Sequence, residues 1–211
     1  MYDRLRRVMR IRRLAMILSK LAPHPCNVVD LEQYSTDGDL ASRFIFDINS
    51  FGDINEDTVV GDLGAGNGVL GIAALKLGAK QVFFVETDIE TCSVLRKNLI
   101  SQRIEDSSEI INEHIDSDFS MPEVDLIICN PPWGRQKVKA DRPFLNTILN
   151  NGSTAHLMHN SDATHIRPFF ESKGWNVEKY GEAEFALPLT YSHHKRNRDS
   201  TKVGFWRLSP N

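Results

Sequence analysis

Thr58-Val59-Val60-Gly61-Asp62-Leu63-Gly64-Ala65-Gly66-Asn67-Gly68 runs from a short β-favouring stretch straight into a cluster of glycines. Threonine and valine suit a pleated strand, and glycines at 64, 66 and 68 permit a sharp turn and a close backbone approach by a ligand. Gly68 to Leu77 then carries helical periodicity and is closed by Gly78. A strand, a glycine turn and a helix in that order put a binding site at the carboxyl end of the strand. The helix offers free N–H groups there, together with the positive end of its dipole.

The same alternation extends outward from this turn. QVFFVE (81–86), EIINEH (109–114), VDLIIC (124–129) and STAHLMH (153–159) read as strands, with Val177 to Phe185 and Val203 to Leu208 as late strands. Helical spacing covers Ile89 to Ser101, residues 141–150 and Asp162 to Lys173. Upstream, residues 4–22 form an amphipathic pattern that Pro23 and Pro25 end, and Leu40 to Phe51 returns to helical spacing. Strands alternating with helices predict an α/β, Rossmann-like, doubly wound and mostly parallel sheet with an N-terminal helical extension. We expect one domain over residues 1–211: a basic helix (1–25), a segment and helix (26–55) and the core (56–211). Ligands of such sheets bind beyond the carboxyl ends of the strands.

Composition narrows the class. An apolar fraction of 41% and a charged fraction of 25% are those of a soluble globular chain, and no apolar run is long enough to cross a bilayer. Cys26, Cys92 and Cys129 are few, scattered and odd in number, which fits a reducing cytoplasm rather than a disulfide framework or a cysteine-rich zinc site. The net charge of −3 conceals basic ends. Arg4, Arg6, Arg7, Arg10, Arg12, Arg13 and Lys20 face a single Asp3, and HHKRNRDSTK from His193 is basic again. A phosphate-bearing partner touching both ends would account for this, with Arg10, Arg12, Arg13, His194, Lys195 and Arg196 as candidate contacts. A solvated surface accounts for it equally well.

The glycine loop suits an adenosine-containing cofactor. Gly66, Gly68 and Gly71 also satisfy the dinucleotide pattern, so glycine spacing alone does not choose the cofactor. Asp62, just before the glycines, is placed to accept hydrogen bonds from a cofactor amine and would repel a pyrophosphate. Glu86, ending the second strand, is placed for ribose hydroxyls. Asp116 or Asp118, after the third strand, could reach an adenine amine, Asp116 being preferred.

A second loop carries the chemistry. The apolar run of VDLIIC ends in Asn130-Pro131-Pro132-Trp133, and two prolines stop a sheet ladder. The Asn130 side-chain carbonyl and the Pro131 carbonyl are two acceptors able to hold one –NH₂ group. Trp133 offers a face on which a flat ring can stack. Such a clamp fits an exocyclic amine on a π-system, or an amide, and acts through positioning and electrostatics.

On these residues the chain resembles the class I S-adenosylmethionine-dependent methyltransferases that modify exocyclic amines. Leu31-Glu32-Gln33-Tyr34-Ser35-Thr36, the Asn-Pro-Pro-Trp-Gly loop, Asp141-Arg142-Pro143-Phe144-Leu145 and Leu187-Pro188 with Tyr191 and His194-Lys195 are similar to segments of the methyltransferase-like protein 5 family. The resemblance runs from about residue 20 to the end. It implies S-adenosyl-L-methionine as cofactor and N6-methylation of an adenosine in small-subunit ribosomal RNA. It also implies, in eukaryotes, a small zinc-binding activator protein related to Trm112. By the same resemblance, residues 26–55 close over the cofactor. Gln33, Tyr34, Thr36, Asp62, Gly64, Gly66, Asn67 and Glu86 would then line its site, and Asn130, Pro131, Pro132 and Trp133 the catalytic site. Trp133 stands where the family has Phe, and Ser35 where it has Pro; the basic amino-terminal helix is more like an archaeal relative. Guanine N2 and protein glutamine share the Asn-Pro-Pro loop as acceptors, and a non-catalytic RNA-binding module is the third alternative.

Other residues read as structural. His156 and His159 are three apart in a strand and so face opposite sides, with no acidic partner pattern, and no metal site is expected. Cys129, Trp175 and Trp206 read as packing residues.

Overall fold

The computed structural model describes residues 9–25, 36–134, 137–186 and 200–211. Leu31 to Ser35, with Gln33 and Tyr34, and the stretch holding His194, Lys195 and Arg196 lie outside the described residues.

Among the described residues seven strands form one sheet in the order β3-β2-β1-β4-β5-β7-β6. The strands are β1 Val59–Leu63, β2 Gln81–Val85, β3 Ser108–Ile111, β4 Leu126–Cys129, β5 Thr154–Asn160, β6 Trp175–Ala186 and β7 Ser200–Pro210. The first five are parallel, with β1 between β2 and β4, while β7 runs antiparallel to both β5 and β6. The chain order reverses at β1 and β4, so the crevice that binds ligands in this architecture opens between the glycine turn after β1 and the Asn-Pro-Pro loop after β4.

Strand alternation builds two cores. In β4, Leu126 and Ile128 face a cluster containing Phe44, Phe84 and Phe205, whereas Ile127 and Cys129 face one containing Leu145, Phe170 and Trp206. All four β4 residues are buried, which is why this strand reads as an unbroken apolar run. Helices α1 (Ile11–Leu18), α2 (Gly38–Ser50), α3 (Val69–Leu77) and α4 (Ile89–Gln102) contribute to the first core, and α5 (Arg142–Asn151) and α6 (Ile166–Glu171) to the second.

Two helix limits differ from the sequence expectation. In α1 the described helix begins at Ile11 and ends at Leu18, well before Pro23. It buries Leu14, Ala15 and Leu18 while Arg10, Arg12 and Arg13 remain exposed. In α6 only Ile166–Glu171 is helical within the expected span from Asp162, because the preceding residues turn to bring His165 toward Asp141.

Candidate active site

A cavity of about 310 Å³ lies beyond the carboxyl ends of β1, β2 and β4. Gly64, Ala65, Gly66 and Asn67 line it from the first turn, Glu86 and Thr87 from the second, and Asn130 and Pro132 from the fourth. Its volume is in the range of a small-molecule site. Thr36, just before α2, closes one side, and Phe144 of α5 forms part of another.

The glycine turn owes its shape to hydrogen bonds as well as to its sequence. Gly64 has φ +69, and a methyl group there would crowd the Phe144 ring at 3.1 Å. Gly68, with φ +87, sits where a Cβ would run into Leu95. The Gly66 N–H donates to Glu86 Oε2 at 2.9 Å, and the Asp88 N–H donates to Glu86 Oε1 at 3.0 Å. Each Glu86 oxygen therefore keeps acceptor capacity toward the cavity. Asn67 Nδ2 and Asn98 Nδ2 both donate to the Ala22 carbonyl, and the Ala22 N–H returns a bond to Asn98 Oδ1. These bonds bring His24 to the cavity wall, where its Nε2 lies 3.1 Å from Thr91 Oγ1.

Two acids fall elsewhere than the sequence placed them. Asp62 is 1% exposed and is not among the lining residues. Its Oδ2 accepts from the Gly71 N–H at 2.8 Å, a free donor in the first turns of α3. Burial, against that hydrogen bond, pushes its carboxyl up to about 7, with the Glu86 charge adding to the effect. Asp116 is also off the cavity; its Oδ1 accepts from the Asp118 and Phe119 N–H groups and closes a surface turn. After β3 the wall is instead Glu113, His114 and Ile115. These three, with His24, Thr87, Phe144, Lys137 and Lys139, carried no sequence signal of their own as cavity residues.

In the Asn-Pro-Pro-Trp loop the amide of Asn130 is oriented by its neighbours. Nδ2 donates to Thr36 Oγ1 at 3.0 Å, and the Trp133 indole Nε1–H donates to Asn130 Oδ1 at 3.2 Å. An indole N–H only donates, so the atom it meets must be the carbonyl oxygen. That oxygen retains a second lone pair. Pro131 is buried, and Trp133 is not a lining residue. The Trp133 ring instead stacks on His159, with centroids 6.1 Å apart and planes 29° from parallel.

His159 lies in β5 over a cluster that had no sequence signature. Asp141, at the start of α5, has its Oδ2 2.5 Å from His165 Nε2 and 3.2 Å from His159 Nε2. Burial works against the Asp141 charge, but the two imidazoles outweigh it and hold the carboxyl below its usual range. Three groups of metal-ligating type thus gather beside the Asn-Pro-Pro-Trp loop, with one ligand atom from each within 4.8 Å of the others.

A model of the methyltransferase small domain matches residues 35–162, which hold both loops. The chain belongs to the methyltransferase small domain family. Within that family it is 32% identical to the uncharacterized protein MJ0284 of Methanocaldococcus jannaschii, covering 92% of each chain. It is 30% identical to the rRNA N6-adenosine-methyltransferase METTL5 of Danio rerio, covering 85% of this chain and 89% of the relative. Among solved structures, a candidate RNA methyltransferase from Pyrococcus horikoshii superposes with a TM-score of 0.85 at 35% identity, covering 95% of this chain and 98% of that one. The fold is that of the class I methyltransferases, and the family uses S-adenosylmethionine. No described helix is long and apolar enough to cross a membrane.

Proposed function

We propose that the protein transfers a methyl group to N6 of an adenosine in small-subunit ribosomal RNA. One observation carries the reading: Asn130 and Pro132 line the same cavity as the glycine turn and Glu86, so an amine clamp and a nucleoside site share one wall. The resemblance to METTL5 and the exposed Arg12 and Arg13 on α1, with Arg10 just before it, support RNA over a protein acceptor.

The cavity fits S-adenosylmethionine by the chemistry of its donors and acceptors. Glu86 would hold the ribose hydroxyls, Gly64 to Asn67 the backbone of the cofactor, and Thr36 with Asn130 the side nearest the acceptor. When bound, the cofactor supplies an electrophilic methyl group. The chain's own residues do the rest. Asn130 Oδ1 takes one amine hydrogen on its second lone pair, and the Pro131 carbonyl takes the other. Thr36 and Trp133 keep the Asn130 amide from flipping. A planar amine so held presents its lone pair in one direction, and its proton can leave after transfer. The adenosine must be unpaired or flipped to enter. A small zinc-binding activator related to Trm112 and a cytoplasmic location belong to the same reading.

The test is methyl transfer from labelled S-adenosylmethionine to small-subunit RNA, with mapping of methylated adenosines. Asn130→Ala should lower transfer by about a hundredfold or more while cofactor affinity stays nearly unchanged. Normal transfer by that variant, or label appearing on protein or on guanine, would overturn the reading.

A further inference from the structure

We infer that His159, Asp141 and His165 form a positioning clasp that sets the orientation of Trp133, and through it of Asn130, before the acceptor arrives. The inference rests on the acceptor reading above for its link to turnover, though not for its geometry.

The clasp starts from a buried side chain without ordinary satisfaction. His159 is 1% exposed, and neither of its ring nitrogens has a hydrogen-bond partner among the described residues. Its Nε2 is only 3.2 Å from Asp141 Oδ2 but is not directed at it. A buried imidazole in that condition is costly to the fold, so such a site calls for a use beyond packing.

Its neighbours show what it supports. One face of His159 lies against the Trp133 indole, and the ring edge meets His165 with centroids 5.2 Å apart and planes at 77°. Asp141 is 3% exposed and bonded to His165 at 2.5 Å. Four elements therefore meet in sequence: the turn before α6, the start of α5, strand β5 and the loop after β4. The far end of Trp133 is its N–H on Asn130 Oδ1. An indole fixed by its face and by its N–H has little freedom to swing, and the Asn130 carbonyl is held with it.

The same three side chains are of metal-ligating type, and the experiment below separates the two readings. Zinc-type bonds of about 2.0 to 2.1 Å at tetrahedral angles would place donor atoms about 3.3 Å apart. The His165–Asp141 separation of 2.5 Å is that of a short hydrogen bond, while His159 lies 3.2 Å from the same carboxylate. A clasp also explains why the cluster abuts Trp133 rather than the cofactor cavity.

The experiment has two readouts. Trp133 emission is obtained without RNA, by subtracting from each protein the spectrum of the same protein carrying Trp133→Phe. Removing the ring stacked on an indole changes its surroundings, so His159→Ala should change the intensity or position of this component. His165→Ala removes a half-exposed side chain one step further along, tolerates folding better, and should also change the Trp133 emission. In transfer assays on small-subunit RNA both variants should lose about threefold to tenfold in kcat, with S-adenosylmethionine affinity within about twofold of wild type. His159→Phe, which restores a ring against Trp133, should recover most of the loss.

Unchanged Trp133 emission in both alanine variants would overturn the clasp, as would unchanged kcat beside transfer-competent wild type. So would one equivalent of zinc or another transition metal in the purified wild-type protein that His165→Ala abolishes. If wild-type protein methylates no RNA adenosine, the acceptor reading fails on its own, and the emission measured without RNA still decides the clasp.

Discussion

His156 and His159 leave the same strand, three residues apart, toward opposite faces of the sheet, and both are fully buried. Their surroundings differ completely. His156 has both ring nitrogens engaged: Nε2 lies 2.8 Å from Asp53 Oδ2 and Nδ1 lies 3.0 Å from the Tyr180 hydroxyl. Asp53 in turn accepts two bonds from Arg207. His159 has only the Asp141 carboxylate, 3.2 Å from Nε2 and off hydrogen-bond direction, and its ring stacks on Trp133 of the Asn-Pro-Pro loop. A satisfied buried polar network ties elements together; an unsatisfied one beside a site marks residues held for another purpose. Here the first joins the residues after α2 to β5, β6 and β7, and the second borders the Asn-Pro-Pro loop.

The comparison breaks most sharply through Asp53. Asp53→Ala would leave His156 and Arg207 without their shared acceptor and should destabilise the fold by about 2–4 kcal/mol, measured by denaturant unfolding. The folded fraction should keep its affinity for S-adenosylmethionine. A large loss of affinity with little loss of stability would mean that the two networks are not separate.

The next effect in size separates the two in pH. Burial opposes the Asp53 charge, but hydrogen bonds from His156 and Arg207 prevail and hold its carboxyl down to about 2. The folded value lies below the unfolded one, so its contribution is present above about pH 4 and is lost as pH falls through about 2. Asp62 has the opposite sign. Its folded value of about 7 lies above the unfolded one, so stability is lost as pH rises from about 4 to about 7. Asp62→Asn should therefore gain about 1–3 kcal/mol at pH 8 and almost nothing at pH 4, by thermal melts across that range. An equal change at both pH values would show that the Asp62 carboxyl is not held protonated.

The smallest effect sharpens the site side. Trp133→Phe keeps an aromatic plate but removes the N–H that meets Asn130 Oδ1, a bond of about 1 kcal/mol. We expect a few-fold change in kcat on RNA and none in cofactor affinity. A loss well below that of His159→Ala would show that the clasp does not act through the indole N–H.

What could be read from the sequence follows from how local each signal is. The glycine turn and the Asn-Pro-Pro loop are each contiguous, and their residue types fix backbone shape directly, so the sequence pointed to Gly64 to Asn67 and Asn130, which line one cavity. The β4 run and the late strands were legible because burial writes itself into apolar spacing. The direction of a single carboxylate was not. Asp62 and Asp116 stand near the cofactor in sequence, yet backbone N–H groups closer to hand took their oxygens. The partners of β5 were hidden for a different reason. Asp53 lies 103 residues from His156 in the chain, and Asp141 lies 24 from His165, so no window contains either pair. The geometry of the fold, not any spacing, supplies the acid that the sequence of β5 lacks.

The carbonyl of Ala22 has a consequence of its own. It receives hydrogen bonds from Asn67 in the glycine turn and Asn98 on α4, while its own residue continues from the arginine-bearing α1. A ligand that ordered the turn would, through these bonds, bear on the segment that follows that helix, and a load on the helix would bear on the turn. Coupling of this kind is reciprocal by thermodynamic necessity. Any such link between the cavity and α1 would pass through Ala22 and also through the packing of α1 on α2 and α3.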